Sequence, residues 1–385
     1  MIVGIPKEIM SGEARVAATP ETVKKFVQDG MTVLVETGAG VKSLYYDEQY
    51  EEAGAEMVSD AEHLFERADL ILKVKEPLFN ESVGKHEVEM MHKGQYLITF
   101  IHPASPVNHK MVKQLAEQGI IGLTLDSIPR ISRAQNMDAL TSMSTCAGYK
   151  GIIMAADDLS IFMPQMFTAV GMLKPANVLV IGTGVAGLQA LATAKRLGAV
   201  TYALDIRPAA VEQAKSLGAK IIETNVPEEL AVGKGGYAQK LPEEWLMKER
   251  EVLAGVLKDM DIVFCSALIP GKIAPILITD KMVESMKNGA VIVDISIDQG
   301  GNCEVTPPGR KEVIHNVMVQ GIKNIPGLIP TSSTWMFSHN IYNLVKYLSK
   351  DGQISLDLND EIVRSILVTY NGEIVHEGTR EAMGV

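Results

Sequence analysis

At 385 residues, with a net charge of −11 and 46% hydrophobic residues, the chain has length for two or three domains and ample core. The acidic balance excludes a nucleic-acid binder, and a binder of anionic lipid acting by bulk charge. Three scattered cysteines, Cys146, Cys265 and Cys303, exclude a disulfide framework and suit a reducing cytosol; their spacing gives no metal site, and none is expected.

The opening MIVGIPKE reads as strand and turn, so no targeting segment is expected. The best apolar run, residues 161–173, is broken by Pro164 and Gln165, so the chain is not expected to span a membrane. Strands are predicted at residues 2–5, 32–35, 70–74, 96–101 and 120–124, with helical spacing between them, as at 20–29 and 108–117. Thr19-Pro20 starts the first helix and Gly30 stops it. This alternation implies a parallel sheet, here without a glycine fingerprint.

Four residues near predicted strand ends or turns could do chemistry. Arg15, in EARVAATP, is suited to clamp a carboxylate; an exposed surface arginine is the alternative. Lys73 and Lys75, in ILKVKEP, follow an apolar strand, where α/β sheets place their sites. His102, in FIHPAS, also ends a strand and is an acid/base candidate, or a structural histidine. The segment 129–138, PRISRAQNMD, packs Arg130, Arg133, Gln135 and Asp138 into a turn-rich linker, and a helical stretch follows to residue 158.

Residues 178–205, VLVIGTGVAGLQALATAKRLGAVTYALD, read as strand, glycine turn, helix, strand and acid. In the turn Gly182, Thr183, Gly184, Val185, Ala186 and Gly187, the first glycine permits the bend. The second lets a pyrophosphate approach, and the third lets helix and strand pack closely. Helix-opening amides meet the phosphates. Asp205 is placed to accept ribose hydroxyls, favouring NAD over NADP, whereas Arg207, just past Ile206, could meet a 2′-phosphate.

Further strands are predicted at 220–223, 262–266, 291–295 and 317–322, giving this half six. An insertion at about 224–250 carries Gly233, Gly235 and Gly236 before Tyr237; a functional loop and a tolerated surface loop are both open. Ser266, Ala267 and Leu268, in SALIPGK, and Asp298, in DQGG, follow strands and are expected to border the cofactor. Thr331 is expected to cap a helix with Trp335, Ile341, Leu344, Val345 and Leu348 on one face, returning the chain to the first domain. A hairpin is predicted from 362–369 and 373–375 around Asn371-Gly372.

The expected architecture is α/β: two doubly wound parallel-sheet (Rossmann-like) domains joined by long helices. One is residues 1–135 with 331–385; the other is residues 136–330, with a mobile loop at about 224–250. Over its whole length the chain resembles the alanine dehydrogenase and pyridine nucleotide transhydrogenase family. PRISRAQNMD with Ala147-Gly148-Tyr149, the fingerprint helix, and Gly235-Gly236-Tyr237-Ala238 resemble the NAD(H)-binding alpha component of proton-translocating transhydrogenase.

That resemblance implies a homodimer, cytoplasmic and peripherally associated with the inner face of the membrane. It would work with an NADP(H)-binding component and membrane-spanning subunits, passing hydride from NADH to NADP+. It implies that Arg130, Gln135 and Asp138 orient the nicotinamide and its ribose. Thr141 would replace a usual serine, and Tyr237 would tip a lid. Arg15, Lys75, His102 and Asp298 match the substrate residues of alanine dehydrogenases, so an NAD-dependent alanine dehydrogenase stays open. So does a nucleotide-binding regulator without turnover.

Overall fold

The computed structural model describes residues 1–233, 236–269 and 273–384. Two compact units divide the chain: unit 1 is Met1–Met143 with Gly327–Val385, and unit 2 is Ser144–Pro326. The division falls within the helix Ala139–Asp158.

Unit 1 is built on an eight-stranded sheet. Its order is Glu373–Ile374, Leu367–Tyr370, Ile121–Thr124, Tyr96–Thr99, Leu70–Leu72, Ile2–Ile5, Thr32–Glu36 and Glu56–Val58. The last six strands are parallel, and Leu367–Tyr370 joins Ile121–Thr124 antiparallel. Strand order reverses between Ile2–Ile5 and Leu70–Leu72, so the segments after those two strands meet at a switch point. The core gathers Leu34, Phe65, Ile71, Leu97 and Leu115 from strands and covering helices. Thr19 caps Pro20–Gln28, accepting the N–H of Thr22.

Unit 2 holds a seven-stranded sheet, ordered Lys220–Ile221, Val200–Leu204, Asn177–Ile181, Ile262–Cys265, Val291–Asp294, Val317–Gln320 and Lys311–Ile314. The six predicted strands are there and parallel; the seventh, Lys311–Ile314, lies antiparallel at the edge. Order reverses between Asn177–Ile181 and Ile262–Cys265, which places the glycine turn and Ser266 at the switch point. Both units are Rossmann-like.

Four local expectations differ. The insertion does not run to residue 250, because Pro242, with Glu243 and Glu244 in the first turn, starts a helix Glu243–Leu257. Residues 362–366 are helical within Glu361–Ile366, since Asp360 caps them by accepting the N–H groups of Ile362 and Val363. The final hairpin is therefore only Leu367–Tyr370 with Glu373–Ile374. In Pro330–Leu348, Thr331 lies inside the helix and its hydroxyl donates to the Ser43 carbonyl. Trp335 is half exposed, its ring tilted against His339, because it stands six positions before Ile341, which rotates it off the buried face.

Candidate functional site

In unit 2 the strand Asn177–Ile181 ends in the glycine turn, and the helix Val185–Arg196 follows. Its three glycines have three different reasons to be there. Gly182 has φ +84°, and a Cβ on it would come within 2.7 Å of the Ser266 and Ala267 backbone. At Gly187 a Cβ would sit 2.0 Å from the Gly182 carbonyl oxygen. Gly184 is different: its φ is −72°, and a Cβ there would meet nothing within 4 Å.

Neither backbone conformation nor packing within the chain requires glycine at 184. The open space suits a group brought from outside. The first helical bond runs from the Leu188 N–H to the Gly184 carbonyl at 2.8 Å, so the N–H groups of Val185, Ala186 and Gly187 precede the ladder. That is a cradle for an anion.

Asp205 ends the neighbouring strand and is only 8% exposed. Its Oδ2 accepts the Thr183 N–H at 2.7 Å, and its Oδ1 accepts the Arg207 N–H at 2.9 Å. The Arg207 guanidinium reaches both oxygens, at 3.0 and 2.8 Å. The carboxylate is therefore fixed in place, with its cation beside it. Asp205, Ile206, Pro208, Lys215 and Glu223 help to line a cavity of about 530 Å³.

The segment after Ile262–Cys265 is tied to the turn. The Ser266 hydroxyl donates to the Gly182 carbonyl at 2.7 Å. Asn302 holds Ala267 from both sides, accepting its N–H and donating to its carbonyl, each at 2.9 Å. Asp294 gathers the N–H groups of Ser296, Asn302 and Cys303 and the Thr306 hydroxyl. Burial pushes the Asp294 carboxyl up, against those donors. Leu268 is partly exposed, and residues 270–272 of the SALIPGK segment lie outside the described residues. Asp298 is exposed, 3.5 Å from Lys323.

In the insertion, Val232 bridges Ala238 antiparallel, and the Gly233 N–H donates to the Tyr237 carbonyl at 2.8 Å. Gly236 takes φ +76° in this turn. Gly235 lies outside the described residues.

In unit 1, His102 and Asp126 follow the adjacent strands Tyr96–Thr99 and Ile121–Thr124. The imidazole Nδ1 lies 2.6 Å from Asp126 Oδ1, and the His102 N–H donates to Oδ2 at 2.8 Å. Burial pulls the imidazole pKa down, but the Asp126 carboxylate outweighs it and holds His102 above its ordinary value. Burial likewise pushes Asp126 up, and His102 with the Thr124 hydroxyl brings it below its ordinary value. His102 has φ +48°, uncommon for a side chain of this size.

Arg15 is not an exposed arginine: it is 3% exposed, and its fork grips Glu13 at 2.8 and 2.6 Å. The Glu13 carboxyl sits at about 2; burial raises it, and Arg15 and Lys75 more than compensate. Arg15, Lys75 and His102 come after the parallel strands Ile2–Ile5, Leu70–Leu72 and Tyr96–Thr99, so all three belong to the carboxyl end of the unit 1 sheet. Lys73 is fully buried, 2.8 Å from Glu87 and 3.5 Å from Glu8. It braces the sheet's switch point instead of facing a ligand.

Residues 132–137 form a short 3-10 helix, Ser132–Met137. Asp138 then caps Ala139–Asp158, accepting the Thr141 N–H at 2.8 Å and its hydroxyl at 2.6 Å. Arg133 pairs with Asp360 at 2.7 Å. Arg130 and Gln135 are exposed.

The sequence reading missed Asp126, Glu13, Asn302 and Asp294. Asp126 lies just past a predicted strand and Asp294 ends one, which was their only local signal; Glu13 is two residues from Arg15, and Asn302 meets Ala267 only through folding.

Comparison with known proteins adds to this geometry. Residues 4–147 match the model for the alanine dehydrogenase/PNT N-terminal domain, and residues 151–377 match that for the C-terminal domain. The chain is 42% identical to the first of the parts that make up the NAD(P) transhydrogenase subunit alpha of Rhodospirillum rubrum, covering 98% of each. It is 31% identical to the alanine dehydrogenase of Staphylococcus saprophyticus, covering 100% of this chain and 97% of that one. A solved transhydrogenase structure from Sinorhizobium meliloti superposes with a TM-score of 0.85 at 37% identity, covering 97% of this chain and all of the other. With both domain models matched and relatives this similar along its length, the chain belongs to the alanine dehydrogenase/PNT family.

Proposed function

We propose that this chain is the NAD(H)-binding component of a proton-translocating transhydrogenase, working with a separate component that binds NADP(H). The observation that carries the reading is Gly184, a glycine that the chain's own backbone and packing do not require. The similarity to transhydrogenase alpha subunits along nearly the whole chain supports it.

In this reading the amides of Val185, Ala186 and Gly187 hold a pyrophosphate, with Gly182 and Thr183 shaping the turn. Asp205 accepts ribose hydroxyls, fixed by Thr183 and Arg207. Ile206, Ser266, Ala267 and Leu268 border the nucleotide, and Asp298 lies beside the nicotinamide. Arg130, Gln135 and Asp138 orient the nicotinamide and its ribose, and Tyr237 closes over it and excludes water. Bound NADH supplies hydride from its C4. Hydride transfer between two nucleotides asks for position and dryness, and no side chain has to take a proton.

The protein would act as a homodimer, docked on membrane-spanning subunits at the inner face of the membrane. Among the described residues no helix is long and apolar enough to cross a membrane. The test is a hydride-exchange assay. NADH should reduce NADP+ only after an NADP(H)-binding component is added, with little NAD+ reduction by L-alanine alone. Exchange that fails with any such component would sink the proposal.

A second reading, alanine dehydrogenase, is favoured by one arrangement: the His102–Asp126 pair with Arg15 and Lys75 at one end of unit 1. There His102 would serve as acid/base and Arg15 with Lys75 would hold a keto acid. Robust alanine-dependent NADH formation, abolished by His102→Ala, would put this reading first.

A further inference from the structure

The 3-10 helix Ser132–Met137 repeats every three residues, so positions three apart share a face. Ala134 and Met137 form a buried face, and Ser132 and Gln135 an exposed one. Arg133 stands between them. It donates to Asp360 Oδ2 at 2.7 Å and to the Tyr347 hydroxyl at 2.6 Å, and that hydroxyl donates on to Asp360 at 2.8 Å. Asp360 is itself fixed, because its Oδ1 caps Glu361–Ile366. Near the end of the short helix, the Asn136 carbonyl accepts from Asn340 Nδ2 at 2.9 Å and Asn343 Nδ2 at 3.2 Å. Asn340, Asn343 and Tyr347 follow at spacings of three and four, one polar stripe on the helix Pro330–Leu348. All of these residues belong to unit 1.

Stability does not account for this stripe. Asn340 is 7% exposed, and its Oδ1 is buried without a hydrogen bond from any described residue. A buried oxygen with no donor is destabilising, and a leucine would match the buried neighbours Ile341 and Leu344 without that cost. The Asn136 carbonyl would still have Asn343. Arg133 is half exposed, so solvent screens its ion pair with Asp360, which adds little to stability. What the contacts do supply is a fixed backbone directly on either side of Gln135.

We propose that Arg133, Asn340 and Asn343 are positioning residues, which lock residues 132–137 before nucleotide binds so that Gln135 meets the nicotinamide already in place. This rests on the proposed reading of Gln135 as one of the groups that orient the nicotinamide. Hydride transfer depends on the approach of donor to acceptor, and a misplacement of about 1 Å can cost about a hundredfold in rate. A segment fixed in advance keeps that geometry without an ordering cost on binding. The three residues act through Gln135 and touch no substrate themselves.

The test is single-turnover hydride exchange from NADH to NADP+ by the full chain with an NADP(H)-binding component added. NADH titration and thermal melting of the same proteins accompany it. Arg133→Met and Asn340→Leu should each slow exchange at saturating NADH about tenfold, with NADH affinity within about twofold of wild type. Asn340→Leu should melt no lower than wild type, and a slower but equally stable protein is what a merely structural role would not give. On a Gln135→Ala background, itself slow, Arg133→Met should slow exchange by less than about twofold more, since the group it positions is gone. Wild-type exchange in both variants, an affinity loss equal to the rate loss, or full additivity with Gln135→Ala overturns the inference alone. Wild type that exchanges no hydride overturns the reading of the site and the inference with it.

Discussion

The two sheet switch points solve one structural problem in opposite ways. In unit 2 the chain ends its first strand with glycines, and backbone groups carry the site. In unit 1 the same place is filled by charge: Lys73 lies between Glu8 and Glu87, and Glu8 also accepts the Val74 N–H. Burial drives the Glu8 carboxyl up even with Lys73 beside it. Unit 2 leaves space where a ligand is expected; unit 1 closes the equivalent space with an ionic network and has its paired His102 and Asp126 further along the sheet. A shared topology therefore does not imply a shared site.

Breaking this contrast should have graded effects. The largest is expected from Lys73→Met, which leaves Glu8 and Glu87 buried without their cation and should destabilise unit 1 by about 3–5 kcal/mol in denaturant melts. Gly187→Ala comes next: with a carbonyl oxygen 2.0 Å from the new Cβ, it should cost unit 2 about 3 kcal/mol in the same measurement.

A comparable change comes from Glu249, 5% exposed on the helix Glu243–Leu257. Burial raises its folded carboxyl to about 7 from an ordinary 4.5, so the folded state binds the proton more tightly than the unfolded chain. Stability then falls as pH rises through the window from 4.5 to 7, and the penalty is complete above it. Glu249→Gln should therefore stabilise by roughly 3 kcal/mol at pH 8 and by little at pH 4.5. Equal effects at both pH values would contradict the burial argument.

Asp205→Ala should shift the NADPH-to-NADH affinity ratio upward by about tenfold, read by titration. The smallest effect is Asp126→Asn. His102 should then titrate lower by NMR, and stability should drop by about 1 kcal/mol or less, since the ring is partly exposed. The His102 contribution is present below its unfolded value of 6.5 and is lost as pH rises through its raised folded value. The Asp126 contribution is present above 3.8 and is lost as pH falls through its lowered folded value. The cost of Asp126→Asn should thus peak in the mildly acidic range between them.

The same contrast explains what could be read in the sequence. Residues 178–205 are contiguous, so strand, turn, helix and acid were legible from order and spacing alone. The alternation of strands and helices likewise made two parallel sheets legible. Unit 1's candidate residues meet partners far along the chain, such as Arg15 with Met143, or His102 with Asp126, and no local pattern marks those meetings. The strand Glu56–Val58 is three residues long, too short for a periodic signal. Residues 362–366 carry apolar spacing that suits either strand or helix, and only the Asp360 cap decides it. The burial of Glu249 was hidden because the insertion was read as loop to residue 250, whereas the helix begins at Glu243.

The central claim is that Gly184 is glycine for a bound nucleotide and not for the fold. Titration of Gly184→Val with NADH, alongside its melting curve, tests it most directly. The account predicts a stability loss of no more than about 1 kcal/mol, the ordinary cost of replacing an N-cap glycine, and NADH affinity at least tenfold weaker. Wild-type affinity in a stably folded Gly184→Val protein would contradict it.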